Sequence, residues 1–185
     1  MKKSYIFLAP GFEEVEALAT ADVMRRAGME VSVVAVADGT AVTGSHNLTV
    51  VTDMMLADAD LSDADWLIFP GGMPGAQNLH DDATLMDALR AHAARGGRYA
   101  AICAAPAVVL AQAGLLEGKQ ATCYPGFEEL LQRGGASYVS DRRAVTDGNA
   151  VTANGPSSAI DFGLAIVQAT LGDGAAQSVA DGMLC

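Results

Sequence analysis

The sequence predicts an α/β fold: a mostly parallel central sheet covered by helices on both faces. Two patterns predict it. Short apolar runs, among them Tyr5–Ala9, Trp66–Phe69 and Tyr99–Ile102, lack the alternation of a sheet with one wet face, so they read as strands buried on both sides. Between them lie segments with helical spacing of apolar residues, and strands that alternate with helices pair in parallel. The length, 185 residues, suits one domain over positions 1–185 and is enough for a full core.

The totals narrow the function classes. Hydrophobic residues make up 51% and charged residues 18%, which excludes a disordered chain. The net charge of −11 argues against nucleic acid or an anionic membrane as partner. Basic residues cluster only as pairs, Arg25-Arg26 and Arg142-Arg143. The start superficially resembles a signal peptide, but its apolar run, Tyr5–Ala9, is shorter than the roughly 7–15 residues of an h-region and acidic residues follow at once, so it reads as a strand. No apolar run approaches the ~20 residues of a membrane span. Three cysteines, Cys103, Cys123 and Cys185, lack metal-type spacing and suit a reducing cytoplasm.

In order, Lys3–Ala9 is the first strand, turned by Pro10-Gly11-Phe12. A helix follows to about Ala27, with Gly28 as its stop. Val15, Leu18, Ala19, Val23 and Met24 supply its apolar stripe. Glu13, Glu14 and Glu16 charge its first turn, where the helix dipole favours acid. Glu16 differs in sharing a face with Thr20, Val23 and Ala27, so it can point inward. Met29–Val36 is the second strand. Ala41–Thr43 and Leu48–Thr52 form a hairpin-like excursion around Gly44-Ser45-His46-Asn47, which leaves His46 in a loop. Asp58–Asp65 is an acidic connector and Trp66–Phe69 the next strand. A helix capped by Asp81 or Asp82 runs to about Arg95, with His80 and His92 at the surface. Tyr99–Ile102 is a strand, and Ala104-Ala105-Pro106 open a helix that ends at Gly114. Gln120–Tyr124 is extended and Phe127–Gln132 is a helical turn. Arg143–Thr146 and Ala150–Ala153 form a hairpin through Asp147-Gly148-Asn149. Ala159–Leu171 and Gly174–Leu184 close the chain as helices.

Ligands of such sheets bind at the carboxyl ends of strands. Three loops there carry chemistry: Pro10–Glu16, Pro70–Gly75 and Cys103–Pro106. Cys103 falls on a strand-to-helix corner, where free N–H groups and the positive end of the helix dipole favour a thiolate. The corner resembles a nucleophile elbow with a thiol in place of the hydroxyl. On these residues alone Cys103 is either such a nucleophile or a small buried hydrophobe. Gly71-Gly72 lets amides approach a ligand, but neither a dinucleotide fingerprint nor a P-loop is present, so the loop is a small oxyanion site or a plain turn. Convergence of the three loops brings together Glu16, the Gly71-Gly72 amides and Cys103.

Leu8-Ala-Pro-Gly-Phe-Glu-Glu-Val-Glu16, Phe69-Pro-Gly-Gly72 with Gly75-Ala-Gln-Asn78, Ala100-Ala-Ile-Cys-Ala-Ala-Pro106, and Gly155-Pro156 followed by Asp161-Phe-Gly-Leu-Ala165 together resemble the ThiJ/PfpI superfamily. The likeness is strongest to its parkinsonism-associated deglycase branch and the bacterial ThiJ-type proteins, and it covers essentially the whole chain. It implies a flavodoxin-like three-layer sandwich, a homodimer and no cofactor or metal. It matches Cys103 to the family's reactive cysteine, Glu16 to its partner carboxylate, and Gly72 and Ala104 to its oxyanion amides. Two departures narrow the chemistry. Ala104 stands where protease-like branches carry a histidine, which argues against a peptidase. Tyr124 stands where the parkinsonism-associated branch has a histidine, and a phenol is a poor base near neutral pH. His46 replaces an arginine near the family's dimer-related site.

The resemblance implies an enzyme of the glyoxalase or deglycase type, acting on reactive dicarbonyls such as methylglyoxal. The competing expectation is a non-enzymatic oxidative-stress sensor or redox-regulated chaperone working through oxidation of Cys103. Cys123 reads as a buried structural thiol and Cys185 as a terminal, exposed one.

Overall fold

The computed structural model describes residues 2–185. In chain order the elements are β1 (Ser4–Leu8), α1 (Glu14–Arg26), β2 (Val31–Ala35), β3 (Ala41–Thr43), β4 (Thr49–Val51), β5 (Met54–Met55) and β6 (Trp66–Phe69). Then come α2 (Gly75–Asp81), α3 (Ala83–Ala94), β7 (Arg98–Ile102), β8 (Gln120–Ala121), α4 (Glu128–Arg133), β9 (Ser137–Tyr138), β10 (Ala144–Asp147), β11 (Ala150–Ala153), α5 (Ala159–Leu171) and α6 (Asp173–Met183).

The main sheet among these residues has seven strands in the order β10-β11-β7-β6-β1-β2-β5. All its pairings are parallel except the β10–β11 hairpin at one edge. This is the three-layer, flavodoxin-like α/β sandwich that the sequence predicts. Alternation along each strand builds the two outer layers. Tyr5, Phe7, Leu67, Phe69 and Tyr99 face α2, α3, α4 and the segment after Cys103. Ile6, Leu8, Trp66, Ile68, Ala100 and Ile102 face α1, α5 and α6. From β1 the chain builds outward through β2 to β5, then returns to β6 and builds the other way through β7 to β11. The direction therefore reverses between β1 and β6, and the carboxyl ends of β1, β6 and β7 open onto that reversal, where such sheets bind ligands.

Several expectations are corrected. Val15 and Leu18 do not join the core: they are exposed, and α1 buries Ala17, Thr20, Ala21, Val23 and Met24 together with Glu14 and Glu16. The burying face is set by Gly163 of α5, which lets α1 approach so closely that a Cβ there would lie 2.8 Å from Val23 Cβ. Gly75 starts α2, a helix that its many polar residues and flanking Pro74 conceal. Asp82 caps α3 by accepting from the Leu85 N–H at 2.8 Å. His92 is buried, with its Nε2 at 3.0 Å from the Arg98 carbonyl, because α3 lays it against the bare Cα of Gly97. The run after Cys103 is not a regular α-helix: Pro106–Ala111 is π-helical, a wider winding that often marks functional sites.

Candidate active site

Cys103 follows β7 directly and takes the left-handed backbone conformation, φ 66°. For a residue other than glycine this conformation costs on the order of 1–3 kcal/mol. Two hydrogen bonds fix it: the Cys103 N–H donates to the Ala153 carbonyl at 2.9 Å, and the Tyr124 N–H donates to the Cys103 carbonyl at 2.8 Å. The corner thus turns the thiol toward the ends of β1 and β6, and the side chain is 8% exposed.

Glu16 comes from the first turn of α1 and is fully buried. Its Oε2 accepts from the Gly71 N–H at 2.8 Å. Its Oε1 is buried and accepts from no described group. Protonating the carboxyl makes it a potential donor to the Cys103 sulfur, whose titration it influences. Residue 71 must be glycine for this approach. A Cβ there would fall 2.6 Å from Cys103 Cβ and 2.9 Å from Glu16 Oε2. At Gly72, φ is +83° and a Cβ would meet the Glu13 amide nitrogen at 2.5 Å, so the loop folds flat against the start of α1. The N–H groups of Gly72 and Ala104 both face the Cys103 sulfur.

The electrostatics revise the expectation of a thiolate favoured by the corner. Burial pushes the Cys103 thiol up to about 12, the neighbouring Glu16 carboxylate adds to that, and the Gly72 and Ala104 amides pull only partly against them. Burial likewise raises Glu16 to about 7, opposed by the Gly71 and Cys103 hydrogen bonds. The two side chains form one unit. A proton on the carboxyl removes the charge that repels a thiolate and supplies it with a hydrogen bond.

The remaining predicted residues divide. Tyr124 is anchored to the site through its backbone bond to Cys103, and its ring lies against Gly155, 44% exposed at the rim. His46 is not brought to the thiol. Its Nδ1 pairs with Glu14 Oε2 at 3.0 Å and Glu13 Oε2 at 3.4 Å. Glu13 and Glu14 are therefore more than a charged first turn. Both are buried, and against the cost of burial the hydrogen bond with the His46 imidazole, helped by backbone N–H groups that include His46 N–H at 2.8 Å, lowers the Glu14 carboxyl to about 2. Sequence reading missed this clamp because no local pattern joins residues 32 positions apart. It missed Ala153 and Gly155 for the same reason: they act through backbone and through lack of a side chain. Cys123 is buried and Cys185 exposed, as expected.

Two clefts lie elsewhere. One of about 530 Å³ is bounded by Ala111, Glu117, Leu130 and Arg133, and another of about 450 Å³ by Val36, Asp38, Met55 and Asp82. None of their lining residues belongs to the Cys103 constellation.

A model of the DJ-1/PfpI family matches residues 2–169. Among known proteins, the chain is 39% identical to protein dj-1beta of Drosophila melanogaster over 183 residues, covering 99% of this chain and 97% of that protein. It is 32% identical over 168 residues to the glutathione-independent glyoxalase DJR-1.2 of Caenorhabditis elegans, covering 90% and 88%. Among solved structures, Toxoplasma gondii DJ-1, oxidized, superposes with a TM-score of 0.94 at 36% identity, covering 100% of this chain and 98% of that one.

Proposed function

Since the chain belongs to the DJ-1/PfpI family, we propose that it is a cofactor-independent enzyme acting on small reactive dicarbonyls, turning methylglyoxal and water into lactate through Cys103 and Glu16. The observation that carries this reading is one buried carboxyl and two backbone amides gathered around a single thiol.

The chemistry follows from that arrangement. Cys103 Sγ bonds to the aldehyde carbon, and the oxygen that gains charge faces the Gly72 and Ala104 amides before it takes the thiol's proton by way of Glu16. The Glu16 carboxylate then removes the hydrogen from that carbon and returns it to the adjacent one, while the hydroxyl proton passes to the neighbouring oxygen, which leaves a lactoyl thioester. Water cleaves the S–C bond, releasing lactate and restoring the thiol. The Tyr124 phenol at the rim donates a hydrogen bond to substrate oxygen, and Ala104 leaves no imidazole for peptide hydrolysis. Attack on early glycation adducts, a deglycase activity, uses the same thiol and proton shuttle. The test is lactate formation from methylglyoxal by purified protein. Cys103→Ala is expected to abolish it, and equal lactate from that variant contradicts the reading.

One observation favours a second role for the same thiol. Two amide donors and a protonatable carboxyl around Sγ suit the oxygens of a sulfinate, formed when peroxide oxidises the thiolate in two steps. A solved relative is described as oxidized. Peptide mapping after mild peroxide treatment is expected to place two oxygens on Cys103, and equal oxidation of Cys123 and Cys185 argues against a sensor.

In this reading residues 1–185 form a single domain that works in the cytoplasm without cofactor or catalytic metal. No described helix is long and apolar enough to cross a membrane. The protein pairs as a homodimer through Val15, Leu18, Leu48 and Val51, whose exposure on α1 and the β3–β4 hairpin gives the pairing its apolar surface. His46 lies on the same hairpin connection, at the edge of that surface.

A further inference from the structure

A second group of side chains is gathered beside the Cys103 site and takes no part in the chemistry above. Glu13 and Glu14 stand at the start of α1. His46 and Ser45 come from the β3–β4 connection, more than 30 positions along the chain. One ligand atom from each of Glu13, Glu14 and His46 lies within 4.8 Å of the others. His46 Nδ1 is 3.0 Å from Glu14 Oε2 and 3.4 Å from Glu13 Oε2. Ser45 Oγ lies 3.2 Å from Glu13 Oε2 and 3.1 Å from His46 Nδ1.

We propose that Glu13, Glu14 and His46 bind a divalent transition-metal cation of the zinc class. Three features carry this. The first is charge. The Glu14 side chain is 4% exposed and the Glu13 side chain 12%, and among the described residues neither pairs with a lysine or arginine. Two buried carboxylates side by side are costly unless a cation answers them, and here only an imidazole stands opposite.

The second is spacing. A cation held about 2.0–2.1 Å from tetrahedral nitrogen and oxygen ligands keeps those ligands roughly 3.3 Å apart, and the distances of His46 Nδ1 to the two carboxylates already bracket that value. The third is orientation. Glu14 Oε1 accepts from the His46 N–H at 2.8 Å and from the Leu48 N–H at 3.4 Å, which leaves Oε2 aimed at the focus. Backbone bonds of this kind fix a metal ligand's orientation before the ion arrives.

The donor set selects the ion. Two carboxylate oxygens and an imidazole suit zinc and its neighbours better than magnesium or calcium, which take oxygen-only shells. The His46 side chain is 68% exposed, so the remaining coordination positions open to water. The site is separate from the nucleophile, since Glu16 directs its carboxylate to Gly71. A bound ion ties the hairpin to the first turn of α1.

Titration calorimetry with zinc tests this on the metal-stripped full-length chain, with Cys185→Ser removing the exposed thiol. The expected result is one zinc per chain, weakened at least tenfold in His46→Ala and in Glu13→Gln, unchanged in Cys103→Ala, with magnesium at least tenfold weaker. His46→Ala alters an exposed ring, so it keeps the test valid if Glu13→Gln fails to fold. Equal zinc affinity in His46→Ala, loss of zinc in Cys103→Ala, or no zinc uptake overturns the proposal.

Discussion

Glu16 has been placed where its charge is least welcome. Burial raises its carboxyl from 4.5 to about 7, so the folded chain holds a proton there that the unfolded chain has already released. Stability from this group is therefore greatest below about 4.5 and is lost as pH rises toward 7. The difference integrates to on the order of 3 kcal/mol. Glu16→Gln lacks the titration, so denaturant unfolding at pH 5 and pH 8 is expected to show wild type losing stability relative to the variant. Glu14 has the opposite sign: its carboxyl is lowered to about 2, and the stability it supplies is lost as pH falls below 4.5. Two neighbouring glutamates on one turn thus titrate in opposite directions. The inward face of Glu16 was legible from its i+4 and i+7 partners. The burial of Glu14 was not, because the hairpin that covers it is distant in sequence.

At the scale of elements, α1 matters most to the site because it supplies Glu13, Glu14 and Glu16 together. Its seat against α5 is set at Gly163, where an added Cβ would lie 2.8 Å from Val23 Cβ. Gly163→Val gains roughly 0.5 kcal/mol in helix propensity but overpacks the contact at a cost of about 1–3 kcal/mol. The packing cost wins, and urea unfolding is expected to show a net loss of about 1–2 kcal/mol. The strands were readable because burial on both faces writes continuous apolar runs. The apolar stripe of α1 was misread because Val15 and Leu18 have the helical spacing of core residues yet lie exposed. The π-helical winding after Cys103 has no signature in an alanine-rich run that fits an α-helix equally well.

For the whole molecule, the same misreading becomes informative. Leu48 and Val51 join Val15 and Leu18 as large apolar side chains left exposed on one hairpin and one helix. A charged residue in their midst should leave the fold intact and prevent pairing. Leu18→Glu with Val51→Lys is expected to convert the proposed dimer to a monomer in sedimentation velocity, with unchanged far-UV circular dichroism. A wild-type monomer at micromolar concentration contradicts the pairing. The order of the sheet explains why the three chemical loops converge: the reversal between β1 and β6 opens a crevice, and β7 delivers Cys103 beside it. The alternation of strands and helices made that convergence predictable. The high thiol pKa that comes with burial was not, since a sequence shows a corner but not how deeply it is covered.

In the proposed reaction one thiol carries the substrate and one carboxyl moves its proton. Acid-quenched intact mass of Glu16→Gln with methylglyoxal, followed by peptide mapping, tests it most directly. The expected result is a gain of one methylglyoxal confined to Cys103, accumulating because proton transfer is blocked, with lactate falling at least a hundredfold. Lactate at the wild-type rate, or an adduct on Cys185 in place of Cys103, would contradict it.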